Sequence, residues 1–143
     1  MSYDILIPTD GSEQAEKAVD YGLSLAEAFD GKVHVLYVVE TKASYIYTVG
    51  LSDEEMEEYK EYGRDVVTDV VEQAEEQGLG GTGVVRTGRV PEEIVEYAEE
   101  NDIGGVVMGK QGTGAINRYI GGTAEKVMRM ASVPVTVIGP GAK

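Results

Sequence analysis

The stretch with the most chemical content is Gly109-Lys110-Gln111-Gly112-Thr113-Gly114, followed six residues later by Gly121-Gly122-Thr123-Ala124. Glycines carry no β-carbon, so their main chain can come close to a polyphosphate. A helix opening at Thr123 would add unpaired N–H groups and the positive end of its dipole. The chemistry implied is anion binding, with the Thr123 hydroxyl and the Lys110 ammonium as further donors. The same glycines would also serve a plain flexible crossover, and Lys110 would as readily point into solvent; by themselves the residues leave both readings open. A second polar cluster, Pro8-Thr9-Asp10-Gly11-Ser12, closes the first apolar run. Asp10 there would cap a helix, touch a ligand, or do both.

The absent residue types narrow the chemistry. The 143 residues include no Cys, which removes disulfides, thiolate nucleophiles and cysteine-based metal sites together. The only histidine, His34, stands inside an apolar run and is read as structural, which leaves no Ser-His-Asp triad and no histidine metal cluster. No Gly-x-x-x-x-Gly-Lys-Ser/Thr run follows a strand, so a P-loop is not expected. Where a dinucleotide enzyme needs Gly-x-Gly-x-x-Gly, this chain has Thr9-Asp10-Gly11-Ser12-Glu13. An ATP pyrophosphatase of similar fold would show a loop rich in serine and glycine at the same place. The formal net charge is −14, from 26 acidic and 12 basic residues, so the surface repels nucleic-acid phosphates. Acidic runs such as Asp53-Glu54-Glu55 are read as solvated helix faces, with a saline host as an additional reading. No apolar run approaches the ~20 residues of a membrane span, and Met1-Ser2-Tyr3-Asp4 leads straight into a strand. A soluble cytoplasmic protein is expected.

The elements that must position these residues alternate. Tyr3–Thr9 is a short apolar run suited to a buried parallel strand. Asp10 or Ser12 then caps a helix with Ala15, Ala18, Val19, Gly22, Leu23 and Ala26 at helical spacing, ending near Asp30-Gly31. Lys32–Val39 is a second strand, and 40–51, with Tyr45 and Tyr47, a loop or lid. Ser52 and Glu55 form a capping box opening a long helix to about Gln77. Gly78–Gly83 breaks it, Val84–Thr87 is a third strand, Gly88 a turn residue, and Pro91 opens another helix. Ile103–Met108, Thr123–Met130 and Val133–Ile138 complete the pattern as strand, helix and strand. Strands separated by helices mean parallel crossovers and an α/β, doubly wound sheet, expected as one domain over residues 1–143.

Gly109-x-x-Gly112, nine residues, then Gly122-Thr123 resembles the phosphate-binding signature of the nucleotide-binding branch of the universal stress protein family. Pro8-Thr9-Asp10-Gly11-Ser12, the Gly88 and Pro91-Glu92-Glu93-Ile94 turn, and Ala124-Glu125-Lys126-Val127 running to Pro134-Val135 extend the resemblance over nearly the whole chain. It implies a flavodoxin-like or adenine-nucleotide-hydrolase-like sheet of order 3-2-1-4-5 that holds ATP along its strand ends. Pro8, Thr9, Asp10, Val38, Val39, Met108, Gly109, Lys110, Gln111, Gly112, Gly122, Thr123 and Ala124 would then surround the nucleotide. Main chain at Val38 and Val39 would face adenine. Mg²⁺ would come mainly through the phosphates, with Asp10 on the ribose or the metal. Lys110 and Gln111 depart from the family, which more often has a small or hydroxyl residue followed by a basic or imidazole one. The expected activity is regulatory nucleotide binding with little or no hydrolysis, since no general base is evident. A slow ATPase or phosphotransferase and an interaction protein needing no nucleotide are the alternatives. Strand Val133–Ile138, apolar and at a sheet edge, is expected to meet its twin in a homodimer.

Overall fold

A computed structural model describes residues 3–40, 52–110, 122–139 and 141. The first strand, β1 (Ile5–Pro8), is buried along its whole length. Helices cover both faces of a parallel sheet, so such a strand has no polar side. Helix α1 (Glu13–Ala28) follows, and Ser12 supplies the cap by accepting the Ala15 N–H at 3.3 Å. Its buried stripe is the one its spacing predicted. Strand β2 (Val33–Glu40) pairs with β1 in parallel, from Ile5↔Val33 to Pro8↔Leu36.

Helix α2 (Asp53–Glu76) opens on the expected capping box, Ser52 and Glu55 exchanging two hydrogen bonds of 3.1 Å. The expected loop or lid with Tyr45 and Tyr47 falls at 41–51, outside the described residues, while Glu40 ends β2. Strand β3 (Gly81–Gly88) starts three residues before Val84 and takes in glycines that the sequence assigned to a break. It pairs with β2 throughout, Val33↔Gly81 to Glu40↔Gly88. Helix α2 lies so close on β3 that a β-carbon at Gly83 would stand 2.8 Å from Val67 Cγ2. At Gly81 and Gly83, the start of its α2-facing side, the strand therefore lacks the β-branched residues by which strands are read.

Helix α3 (Val90–Glu100) carries Pro91 in its first turn, and strand β4 (Gly105–Gly109), helix α4 (Gly122–Met130) and strand β5 (Val135–Ile138) follow. The last two strands each begin two residues later than expected. Ile103 is spent on closing α3, its N–H donating to the Ala98 carbonyl at 3.2 Å.

The sheet is parallel throughout with order β3-β2-β1-β4-β5, as expected. Ile5, Ile7, Val33, Val35 and Val107 pack in one apolar layer with α1 and α2; Leu6, Leu36, Val106 and Met108 pack in the other with α3 and α4. Winding reverses between β1 and β4, so their carboxyl ends splay apart where an open parallel sheet binds ligands. No described helix is long and apolar enough to cross a membrane.

Candidate functional site

The crevice is built first by the turn after β1. The Thr9 N–H still donates to the Leu36 carbonyl at 3.0 Å, continuing the ladder one residue past the strand. The chain then folds on its own side chains: the Gly11 N–H donates to Thr9 Oγ1 at 3.1 Å and the Ser12 N–H to Asp10 Oδ1 at 2.9 Å. Gly11 has φ +80°, and a β-carbon on it would stand 2.7 Å from the Tyr62 hydroxyl, so both conformation and space demand glycine. These bonds hold Asp10 at the mouth of the crevice, where the cap role passes to Ser12. Across the crevice the Lys110 N–H donates to the Ile138 carbonyl at 2.7 Å, fixing the end of β4 against β5.

Between these ends lies a cavity of about 280 Å³. Leu36 and Val38 from β2, Val90 and Ile94 from α3, and Met108 from β4 give it an aliphatic wall. Thr9, Asp10, Lys110 and Thr123 gather polar groups at its other side, with Gly109 and Gly122 between them. The combination is an apolar slot continuous with a polar, glycine-edged rim. Such a site suits a flat ring joined to an anionic tail. Helix α4 begins at Gly122, so its first-turn N–H groups, which have no partner within the helix, and its positive dipole end face this rim.

Of the residues singled out from sequence, Pro8, Thr9, Asp10, Val38, Met108, Gly109, Lys110, Gly122, Thr123 and Ala124 all line this one cavity. Gln111 and Gly112 fall outside the described residues. Val39 does not line it: its side chain is buried, and the alternation of the parallel ladder turns its main chain toward β3. Val38 faces the opposite way, toward β1. The last rung there is Thr9 N–H to Leu36 O, so the Val38 main chain overlooks the crevice. Sequence reasoning missed Ala15, Leu36, Val90 and Ile94. Two signals were available, the two-residue step Leu36, Val38 on one face of a strand and the four-residue step Val90, Ile94 on one face of a helix.

His34 lies at the other end of the sheet, as a link in a side-chain chain. Its Nε2 stands 2.9 Å from Asp4 Oδ2 and its Nδ1 2.7 Å from the Tyr97 hydroxyl. Both contacts are satisfied when Nε2–H donates to Asp4 and the Tyr97 O–H donates to Nδ1. The Arg86 guanidinium lies 5.0 Å from the centre of the Tyr97 ring and hydrogen-bonds Glu100 at 2.7 Å. Burial pushes the Tyr97 hydroxyl above its usual range, against the opposing charge of Arg86. Among the described residues no group of three or more His, Cys, Asp or Glu side chains is placed to hold a metal ion.

The sequence profile of the universal stress protein family matches residues 1–139. A relative named Universal stress protein MJ0531, from Methanocaldococcus jannaschii, is 34% identical over 140 residues, covering 94% of this chain and 80% of its own. The solved structure of hypothetical protein MJ0577, the subject of a structure-based assignment of biochemical function, superposes with a TM-score of 0.82 at 26% identity over 96% of both chains. A universal stress protein from Archaeoglobus fulgidus, solved in complex with dAMP, shares the fold with a TM-score of 0.70 at 22% identity, over 95% of this chain and 97% of that one.

Proposed function

The chain belongs to the universal stress protein family, and from that premise we propose that it is a one-domain adenine-nucleotide-binding regulatory protein whose ligand is ATP with Mg²⁺. The observation that carries this reading is the cavity at the β1 and β4 ends, where an aliphatic slot meets a rim of Thr9, Asp10, Lys110 and the start of α4. Adenine occupies the slot against Leu36, Val38 and Met108. The Val38 main chain supplies the directional contact that aliphatic side chains lack. The phosphates lie over Gly109 and Gly122, where no described residue stands within 4 Å of a β-carbon built on Gly122, so a bulky anion has room to reach the helix N–H groups. That the Archaeoglobus relative was solved with dAMP supports an adenine nucleotide as the ligand class.

Asp10 is the one carboxylate among the described residues lining this cavity. With one oxygen already accepting the Ser12 N–H, it suits contact with a ribose hydroxyl or a phosphate-borne Mg²⁺ better than activation of water. Hydrolysis is therefore slow or absent. The outer edge of β5 supports a homodimer. Pro134 directs its carbonyl to the Val106 N–H, so the ladder aims residue 134 at β4 and leaves the main chain of Val135 and Val137 facing outward. Pro134 therefore does not blunt this edge.

Calorimetry at moderate salt tests the site. ATP with Mg²⁺ binds the wild type, and Gly122→Val, whose side chain enters the phosphate space, binds at least roughly tenfold more weakly, a loss of ~1.4 kcal/mol. Equal binding by the two proteins, or none by either, removes the assignment. Phosphate release on the same samples stays far below the ~10 s⁻¹ typical of enzymes. Light scattering reports a dimer for the wild type and a shift toward monomer for Val137→Lys. A wild type that stays monomeric at high concentration removes the β5 seam.

A further inference from the structure

The sheet has a second open edge, at β3, and its surroundings differ in kind from those of β5. The Val33 N–H donates to the Gly80 carbonyl at 2.9 Å, which sets the phase of the β2–β3 ladder. Residues 82, 84, 86 and 88 then spend their main chain on β2, while Gly81, Gly83, Val85 and Thr87 present their N–H and C=O groups outward. No described residue pairs with them. Unpaired groups at alternate positions of an eight-residue strand form a template for one more strand. The edge itself carries no protecting residue: two of the four outward residues are glycines, and none is charged.

The two faces beside this edge carry an excess of carboxylates. On the α2 side a groove runs between helix and strand, floored by Val67, Val71 and Val85 and rimmed by Glu72 and Glu75. Neither glutamate makes an ion pair among the described residues, and Arg64, the cation of that groove, is engaged by Glu57. On the α3 side Glu93, Glu96 and Glu100 share a single cation, Arg86, at 3.6, 3.8 and 2.7 Å. Lys32 packs its stem beside Gly80, at the amino end of the edge.

We propose that the outer edge of β3 docks an extended, basic segment of another protein, which adds as a sixth strand with alternate side chains over the Val67–Val71–Val85 floor and lysines or arginines against the flanking glutamates. Main-chain pairing supplies affinity and the carboxylates supply the choice of partner. A second copy of this chain is a poor occupant, because it would bring the same carboxylates, on a chain of net charge −14, against their own kind. The proposal does not depend on the nucleotide reading, since the edge lies on a different border of the sheet.

The probe is an eight-residue peptide of alternating Lys and Val with blocked ends, with its Glu-Val counterpart as control. Amide hydrogen exchange of the intact protein is followed residue by residue. The Lys-Val peptide slows exchange at Gly81, Gly83, Val85 and Thr87, whereas the inward amides, already paired, change little. The Glu-Val peptide leaves all of them unchanged. The double substitution Glu96→Lys, Glu100→Lys, both exposed on α3 and on the face toward which the lysines of such a strand point, weakens the Lys-Val peptide roughly tenfold, about what two screened ion pairs supply. Three outcomes would overturn the proposal: protection appearing elsewhere than β3, the charge-reversed protein binding as tightly as the wild type, or the four amides becoming protected with protein concentration in the absence of peptide, which would mean that a second copy covers the edge.

Discussion

The two ends of the sheet hold much the same polar groups and use them in opposite ways. At the amino end Asp4, His34 and Tyr97 are joined by bonds of 2.9 and 2.7 Å, and Arg86 closes the set over the Tyr97 ring. Each polar group has a partner within the protein. At the carboxyl end Thr9 and Asp10 spend their side chains on the N–H groups of their own turn, and what remains faces a cavity of about 280 Å³. A closed network fixes the fold; an open one leaves donors to be satisfied by solvent or by something that binds. A carboxylate or a hydroxyl therefore says little about function until its partners have been counted.

Two glycines sharpen the comparison most. A β-carbon on Gly31, at the closed end, would stand 1.8 Å from the Tyr3 carbonyl oxygen, a clash with main chain that no rotamer change relieves. Gly31→Ala should cost about 3 kcal/mol, at the upper end of overpacking effects, because the turn joining α1 to β2 must shift against the start of β1. Gly122, at the open end, has no described residue within 4 Å of its built β-carbon. Gly122→Ala should leave stability unchanged or raise it by up to ~1 kcal/mol, since alanine loses less backbone entropy in a helix. Urea denaturation of the two variants reads both numbers. Equal losses at the two positions would mean that the ends do not differ in closure.

Much of this was legible in sequence, where local chemistry and global fold agree. Apolar runs closed by Pro8-Thr9 or Gly109 are strands buried on both sides, and the Ser52–Glu55 box marks the start of α2 as the structure has it. The strand order also followed from the resemblance. What was missed has a physical cause in each case. The first half of β3 has glycines at its two α2-facing positions, Gly81 and Gly83, because α2 presses on it, so tertiary packing and not propensity chose those residues. The Asp4–His34–Tyr97 chain joins residues 30 and 63 positions apart, and neither contact leaves a local pattern. The cavity wall was half seen: its glycine rim and polar mouth stand at strand ends, but Leu36, Val90 and Ile94 look like ordinary core residues until the crevice opens beside them.

The closed end can also be opened by acid, with the smallest effect. Burial pushes the Asp4 carboxyl upward, but the hydrogen bond with His34, the Lys32 N–H at 3.1 Å and the charges of both residues outweigh it and hold Asp4 below its ordinary value of 3.8. A carboxylate with a lowered native pKa adds stability that is fully present above 3.8. That stability is lost as pH falls through the lower native value, because the folded state then has to take up a proton it holds poorly. Asp4→Asn removes the charge while keeping an oxygen for the Lys32 N–H, so at pH 6 the variant should be less stable by on the order of 0.5–1 kcal/mol, the scale of a solvent-screened pair. The gap should narrow steadily below pH 3.8 and shrink at high salt. Urea midpoints measured from pH 6 to pH 3 decide it: an Asp4→Asn gap that stays constant with pH would mean that the contact with His34 contributes shape alone, and the two ends of the sheet would then differ in packing and not in charge.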